Sequence, residues 1–567
     1  MVLVALVILG LLGGALGASL LAGYYIRDRQ MTPLASFIPR VERKLAKMAG
    51  EPSQIAKDLA HVTTTFVDLK GRVMRPPVEN WISGGAMAVR GGDLLVMNRL
   101  GDIFVTDGEA PLTRLTDLSL PENGFAAYQR LAETEAYRSY NHKFRSFRYN
   151  DLTWIESGDL SGFAVSYTFF DETEACYGSR VAWAEVDRAE PLARVTLTPT
   201  DWEVIFETTP CLELNPTFTA LDGIMAGGRM AFQAPSTLYF GSGEYHLDGI
   251  HTYDVGIQDD DTSYGKVIAI DLLAGTHRTV SKGHRNLQGV ALDKQGRLWV
   301  TEHAIRGGDE LNLVREGANY GWPEVSLGTL YSGQPFENMP YGRHTGFAQP
   351  VFAWLPSAAI SSLAVIDGID ESWDGDLLAG SLSSPELGNA LFHIRIEGSR
   401  VVFVERIPLG ERVRYIQQFG DRIAVWMDSN DLVLFDVVRR ADPLEAALAW
   451  LDENHDAETA DRVKQVIASC NECHGFGQGE NRTGPTLAGL VGRTVAGIDK
   501  YAGYSEALRS VGGTWTHGRL SRYLADPDAF APGGYMPQSG LDEGPALDAL
   551  IGVLERAGQG ELAGPAY

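Results

Sequence analysis

The sequence predicts a mainly β chain: six short sheets set radially as a β-propeller, an apolar helix ahead of them and a separate domain behind them. Three observations predict it. A strand-like pattern, apolar at alternate positions and introduced by a turn, recurs six times between residues 76 and 440. Residues 2–26 carry no charged side chain. The stretch SCNECHG, residues 469–475, lies beyond the last recurrence. At 567 residues the chain is too long for one ordinary core, and its 44% hydrophobic content is that of a globular protein. Its net charge of −25 excludes nucleic acid as a partner, because an acidic surface repels phosphate. A basic or neutral partner docks more easily.

The first element is VLVALVILGLLGGALGASLLAGYYI, residues 2–26. As a helix it would run ~39 Å at ~1.5 Å per residue, enough to span a bilayer core of ~30 Å. Tyr24 and Tyr25 would fall at an interface, and Gly10/Gly14 and Gly13/Gly17 would let another helix approach closely. The alternative is a signal peptide cleaved near Ala18. Arg27, Arg29, Arg40, Arg43 and Lys44 follow, and by the positive-inside tendency they would hold the chain in the cytoplasm. The C-x-x-C-H within SCNECHG, the attachment spacing for a c-type haem, requires the opposite side, and long domains cross largely regardless of charge. The expectation is therefore a single-pass anchor, residues 1–30, in a bacterial inner membrane, with the globular domains in the periplasm. Residues 31–75, with helical VERKLAKMAG, read as a spacer.

The six recurrences are GDLLVMN from 92, SGFAVSY from 161, STLYFGS from 236, GRLWVTE from 296, GDLLAGS from 375 and DRIAVWM from 421. Their third residues are Leu94, Phe163, Leu238, Leu298, Leu377 and Ile423, spaced 46 to 79 residues apart. Each interval holds one four-stranded sheet and its loops, so residues 76–440 predict six blades.

Of the four cysteines, Cys470 and Cys473 form C-x-x-C-H, the spacing at which two thioethers hold a c-type haem and the adjacent His474 takes its iron. Met536, in PGGYMPQSG, is the one methionine after His474 and the natural second axial ligand. His517, beside Trp515, reads as a packing residue. The Pro485 carbonyl is placed to accept the imidazole proton that faces away from the iron. Cys176 and Cys211 are left over; in an oxidising compartment they close a disulfide, and otherwise they are two buried thiols.

Over residues 455–560 the text CNECH, TGPTLAGLVGR, YSEAL, GGTW, YLADP and PGGYMP resembles the class I, mitochondrial-type cytochrome c family. The resemblance implies an all-α domain, residues 455–567, holding one covalent haem c and passing electrons by outer-sphere transfer. A helical linker, residues 441–454, would join it to the propeller.

In the fourth recurrence, HRN-QG, TEH, GGDELNL and GANYGWP resemble the pyrroloquinoline quinone (PQQ)-dependent glucose/sorbosone, or aldose sugar, dehydrogenase family. Weaker matches cover residues 84–437. The resemblance implies a six-bladed propeller that oxidises a sugar or alcohol with PQQ and calcium. By it, Arg285, Asn286, Gln288, Arg412 and Arg414 would face the cofactor, Glu244 would stand where the family has an acid, and the backbone carbonyls of Ala304 and Ile305 would bind calcium. The sequence departs from the family at the base: LDGIMAGGRMAF puts Met225 where a histidine is expected, and a thioether accepts no proton at neutral pH. Ser383 likewise replaces an expected lysine. Glu244 and His303 are the candidate substitute bases; His246, His251 and His303 are otherwise structural loop histidines.

Two functions follow. One is a membrane-anchored quinoprotein dehydrogenase that passes electrons to its own haem. The other is an electron carrier whose non-catalytic propeller docks or shields a redox partner in a respiratory or photosynthetic membrane complex.

Overall fold

The computed structural model describes residues 59–77, 84–132, 134, 147–213, 223–249, 256–337, 339, 342–382, 384, 387–439, 443–477, 480–498 and 501–557. The apolar segment 2–26, the VERKLAKMAG helix, His251 and Ser383 lie outside the described residues. Among the described residues no helix is long and apolar enough to cross a membrane. The chain divides into two compact units, Met1–Val438 and Arg439–Tyr567.

The first unit is the six-bladed propeller. Its innermost strands are Gly85–Arg90, Tyr149–Ser157, Gly227–Gln233, Asn286–Leu292, Ile360–Val365 and Val413–Phe419. Each lies beside the innermost strand of the next blade, and the sixth returns to the first. The recurrent sequence pattern is the second strand of every blade, from Asp93–Asn98 in the first to Arg422–Met427 in the sixth. Its marker residues, Leu94 through Ile423, are at most 5% exposed. An apolar cluster fills each of the six spaces between neighbouring blades, so both faces of these strands are buried. Burying one such aliphatic side chain stabilises by about 1.5–3 kcal/mol, and the repeat multiplies that around the ring.

The spacer expected over residues 31–75 needs correction. Val62–Thr63 and Val67–Met74 are strands, and the second pairs with Leu432–Arg439, so the beginning of the described chain completes the sixth blade. Val67 and Leu69 are fully buried there, while the charged Lys70 and Arg72 between them and Met74 disguise the strand in the sequence. The disulfide is present: Cys176, at the start of the second blade's third strand, is bonded to Cys211.

The second unit is helical: α1 (Pro443–Asn454), α2 (Ala457–Cys473), α3 (Glu506–Val511), α4 (His517–Ala525) and, beyond a one-turn helix at Pro527–Phe530 and a loop, α5 (Pro545–Arg556). The expected linker 441–454 is also corrected, because most of it is α1 and belongs to this core. Ala447 and Leu451 are buried against a cluster that includes Val463 and Ile467 of α2 and Leu550 and Ile551 of α5. Asp456 caps α2 by accepting the Thr459 N–H at 2.9 Å, which fixes where the helix carrying the cysteines begins.

Candidate functional site

In the helical unit, Cys470 and Cys473 are three apart on α2 and so share one face of the helix. The helix ends there, and His474 continues in extended backbone, 9% exposed. Both cysteines, His474 and Met536 line one cavity of about 340 Å³. The His474 imidazole is fixed by its Nδ1, which donates to the Pro485 carbonyl at 2.7 Å and leaves Nε2 as the ring's other nitrogen. Burial pulls its pKa down, favouring the neutral ring that a metal needs. Gly484 packs flat on that ring: a Cβ there would lie 2.4 Å from Cε1 and 2.6 Å from Nδ1, so no larger residue fits.

These residues fit a covalently attached haem, and one further group supports it. Arg493, also on the cavity wall, gives two N–H groups to the carbonyls of Ala488 (3.1 Å) and Thr486 (2.8 Å), but its Nε–H is buried without a partner. A buried, unpartnered guanidinium donor on a residue of this cavity's wall suits an anionic substituent. His517 takes no part; its Nε2 pairs with Asp548 at 3.0 Å on the surface.

In the propeller, the predicted cofactor-facing residues meet at one end of the central ring. Glu302 is held by His284 Nδ1 (2.9 Å) and Asn312 Nδ2 (2.8 Å), and it accepts the Arg285 backbone N–H at 2.6 Å. These donors keep its carboxyl below the usual range although burial alone would raise it. Arg285 thus leaves the strand in a fixed direction. Its Nε lies 3.3 Å from Glu244 Oε1, and its Nη1 donates to the carbonyls of His303 (3.1 Å) and Ala304 (2.7 Å). Glu244, fully buried, also accepts the Trp322 indole N–H.

That arrangement corrects the expectation for Glu244, which is held by a guanidinium and an indole rather than set free as a base. It also gives the Ala304 carbonyl, an expected calcium ligand, a guanidinium partner. Ile305 is buried.

Met225 stands in a short turn, Gly223–Met225, just before the innermost strand of the third blade. Its sulfur accepts from Asn286 Nδ2 at 3.6 Å, and Asn286 Oδ1 accepts in turn from Gln288 Nε2 (2.8 Å) and the Gly227 N–H (3.3 Å). The Asn286 and Gln288 amides are therefore tied to the thioether. His303 lines a second cavity of about 20 Å³ with Arg285, Glu302, Glu310, Trp322 and His344. That volume holds a single water. The His303 Nε2 is buried without a partner, and burial pulls its pKa down.

Arg414 pairs with Asp428 at 2.5 Å and Arg412 with the same carboxylate at 3.8 Å. Two arginines missed in the sequence sit nearby. Arg148 donates to the carbonyls of Gly223 (2.7 Å) and Ile224 (2.9 Å), bracing the Met225 turn. Burial, helped by the neighbouring Arg414, Arg229 and Arg99, lowers its pKa to about 10. Arg229 bonds the carbonyls of Gly85, Asn150, Gln288 and Arg414, one from each of four other blades. Arg229 was quoted in the Met225 motif, but nothing local marks a side chain whose partners lie on four distant strands. This concentration of guanidinium groups fits a cofactor carrying several carboxylates.

Residues 153–434 match the protein-family model for Glucose / Sorbosone dehydrogenase. The chain is 29% identical over 239 residues to the aldose sugar dehydrogenase YliI of Escherichia coli, covering 39% of this chain and 60% of that relative, less than two thirds of its length. It is 38% identical over 89 residues to a cytochrome c2 of Agrobacterium tumefaciens, covering 15% of this chain and 79% of that one. The crystal structure of the apo aldose sugar dehydrogenase from Escherichia coli superposes with a TM-score of 0.52 at 22% identity, over 66% of this chain and all of that one, which shows the shared propeller fold.

Proposed function

Because the chain joins a glucose/sorbosone dehydrogenase-type propeller to a domain of the cytochrome c family, and so is a haem electron-transfer protein, we propose that it carries electrons for a membrane redox system without oxidising sugars by the base its family uses. Bound haem supplies a one-electron couple. The protein's part is to hold it through Cys470, Cys473, His474 and Met536, to orient the His474 ring through Pro485, and to exclude water with the apolar wall of α4 and α5.

One observation carries the reading of the propeller: the Met225 sulfur, where a proton acceptor is required, holds the Asn286 amide at 3.6 Å. Arg285, Arg412 and Arg414 suit the carboxylates of PQQ, whose chemistry when bound is to accept a hydride. No described group supplies the matching base as the family does. The second reading, an altered sugar or alcohol dehydrogenase, is favoured by His303, a neutral buried imidazole with an unpartnered Nε2. Adding PQQ and calcium to the purified chain and following haem reduction by a panel of aldoses and alcohols separates the two. Reduction supports the dehydrogenase, and PQQ binding without reduction supports the carrier.

In this proposal residues 2–26 anchor the chain in a bacterial inner membrane with both units in the periplasm. The uncharged run supports the anchor, and the Cys176–Cys211 disulfide and the haem motif support an oxidising compartment.

A further inference from the structure

From the guanidinium groups that gather at the Met225 turn we infer that this end of the propeller binds a sugar acid in preference to a neutral sugar, with Arg148 receiving its carboxylate. The inference rests on the reading of this end of the ring as a small-molecule site. Four blades contribute the cations. Arg99 follows the second strand of the first blade, Arg148 precedes the innermost strand of the second, Arg229 lies on that of the third and Arg414 on that of the sixth. Arg414 is engaged by Asp428, and Arg229 bonds four carbonyls and stands 3.9 Å from Asp151. Arg285, on the fourth blade, is held by Glu244 and by the His303 and Ala304 carbonyls.

Arg148 stands apart. Among the described residues its hydrogen bonds both run from Nη2, to the carbonyls of Gly223 (2.7 Å) and Ile224 (2.9 Å), and its Nε–H is buried without a partner. Burial, and after it the guanidinium groups of Arg414, Arg229 and Arg99, lower its pKa to about 10, so it is still a cation at neutral pH, and no carboxylate is among the charges that act on it most. A water would satisfy the Nε–H and leave the charge unbalanced, whereas a carboxylate answers both. The net charge of −25 does not forbid an anion here, because at physiological salt only charges within about 8 Å act strongly. The residue as a whole is half-buried, so a molecule entering from solvent reaches it. Its place decides which molecule that is. The carbonyls it holds belong to the turn Gly223–Met225, and Met225 stands where the resemblance expects the group that meets a substrate hydroxyl. The carboxylate beside Arg148 therefore belongs to the sugar, while Arg285, Arg412 and Arg414 suit those of the cofactor.

The test titrates the haem-loaded chain by calorimetry with D-galacturonate and with D-galactose, which differ by a carboxylate in place of a hydroxymethyl group, each with and without PQQ and calcium. The native chain should bind the acid about tenfold or more tightly than the neutral sugar, the size expected of one charge-assisted hydrogen bond. Arg148→Gln should remove that preference and leave PQQ binding within about threefold. No preference for the acid in the native chain, or no binding of either sugar, overturns the inference however the variant folds. So does an unchanged preference in Arg148→Gln. Loss of PQQ binding in that variant, with the propeller's unfolding transition kept, would assign Arg148 to the cofactor and overturn it too. Failure of the native chain to bind PQQ would instead overturn the cofactor reading, and it is seen in a titration separate from those with the sugars.

Discussion

At the scale of single residues, the haem site was legible because its chemistry is local. C-x-x-C-H places two sulfurs on one helix face and an imidazole at the residue where that helix ends, and Pro485 needed only a nearby carbonyl. Met536→Ala should remove the sulfur-to-iron band at the red edge of the oxidised spectrum, and its persistence would contradict the ligand assignment. The propeller's site was less legible, since Glu244 was known by position but its partners, Arg285 and Trp322, come from other segments. Asp151 shows the same blindness. It is fully buried, accepts from Tyr415 (2.8 Å) and the Met230 N–H (2.7 Å), and lies 3.9 Å from Arg229, yet burial dominates and raises its pKa from 3.8 to about 6. The folded state thus binds this proton more tightly than the unfolded state. Its contribution is greatest below about pH 4 and is lost as pH rises through about 6, an effect on the order of 3 kcal/mol. Denaturant titrations of the native chain against Asp151→Asn should show that difference shrink between pH 4 and 7, and a difference independent of pH would refute the assignment.

Elements were legible where a strand announces itself twice, by alternation and by the turn before it. That is true of the second strand of all six blades, which is why blade number and order followed from the sequence. It fails for Val67–Met74, whose partner strand lies more than 350 residues away and whose own text is half polar. Ring closure imposes that pairing, because the sixth sheet lacks an outer strand until the chain's beginning supplies it. Leu69→Ala should therefore cost about 2–5 kcal/mol in the propeller's unfolding transition, as for a full core position, and leave the haem unit's transition unmoved. A cost within about 0.5 kcal/mol, the size of a surface change, would place the strand outside the sheet. Helix α1 was mistaken for a linker for a related reason: its buried face is defined only by what α2 and α5 bring to it.

For the molecule as a whole, two units with unrelated chemistry share one chain, and the covalent link keeps them at high mutual concentration whatever their roles. The propeller has guanidinium groups suited to a polycarboxylate, and in the proposal above the Met225 thioether, which binds an amide, stands where the resemblance expects the base. General-base catalysis is typically worth about 10²–10⁴-fold, so under the proposal the residue at position 225 decides whether a sugar could reduce the haem. The most direct measurement is the stopped-flow rate of haem reduction by an aldose in the chain loaded with haem, PQQ and calcium, native against Met225→His and against His303→Gln. The account predicts feeble or no reduction in the native chain and an increase of about 10²-fold or more in Met225→His. Rapid reduction in the native chain, unimproved by Met225→His, would contradict it, and its loss in His303→Gln would name the base that replaced the one Met225 displaced.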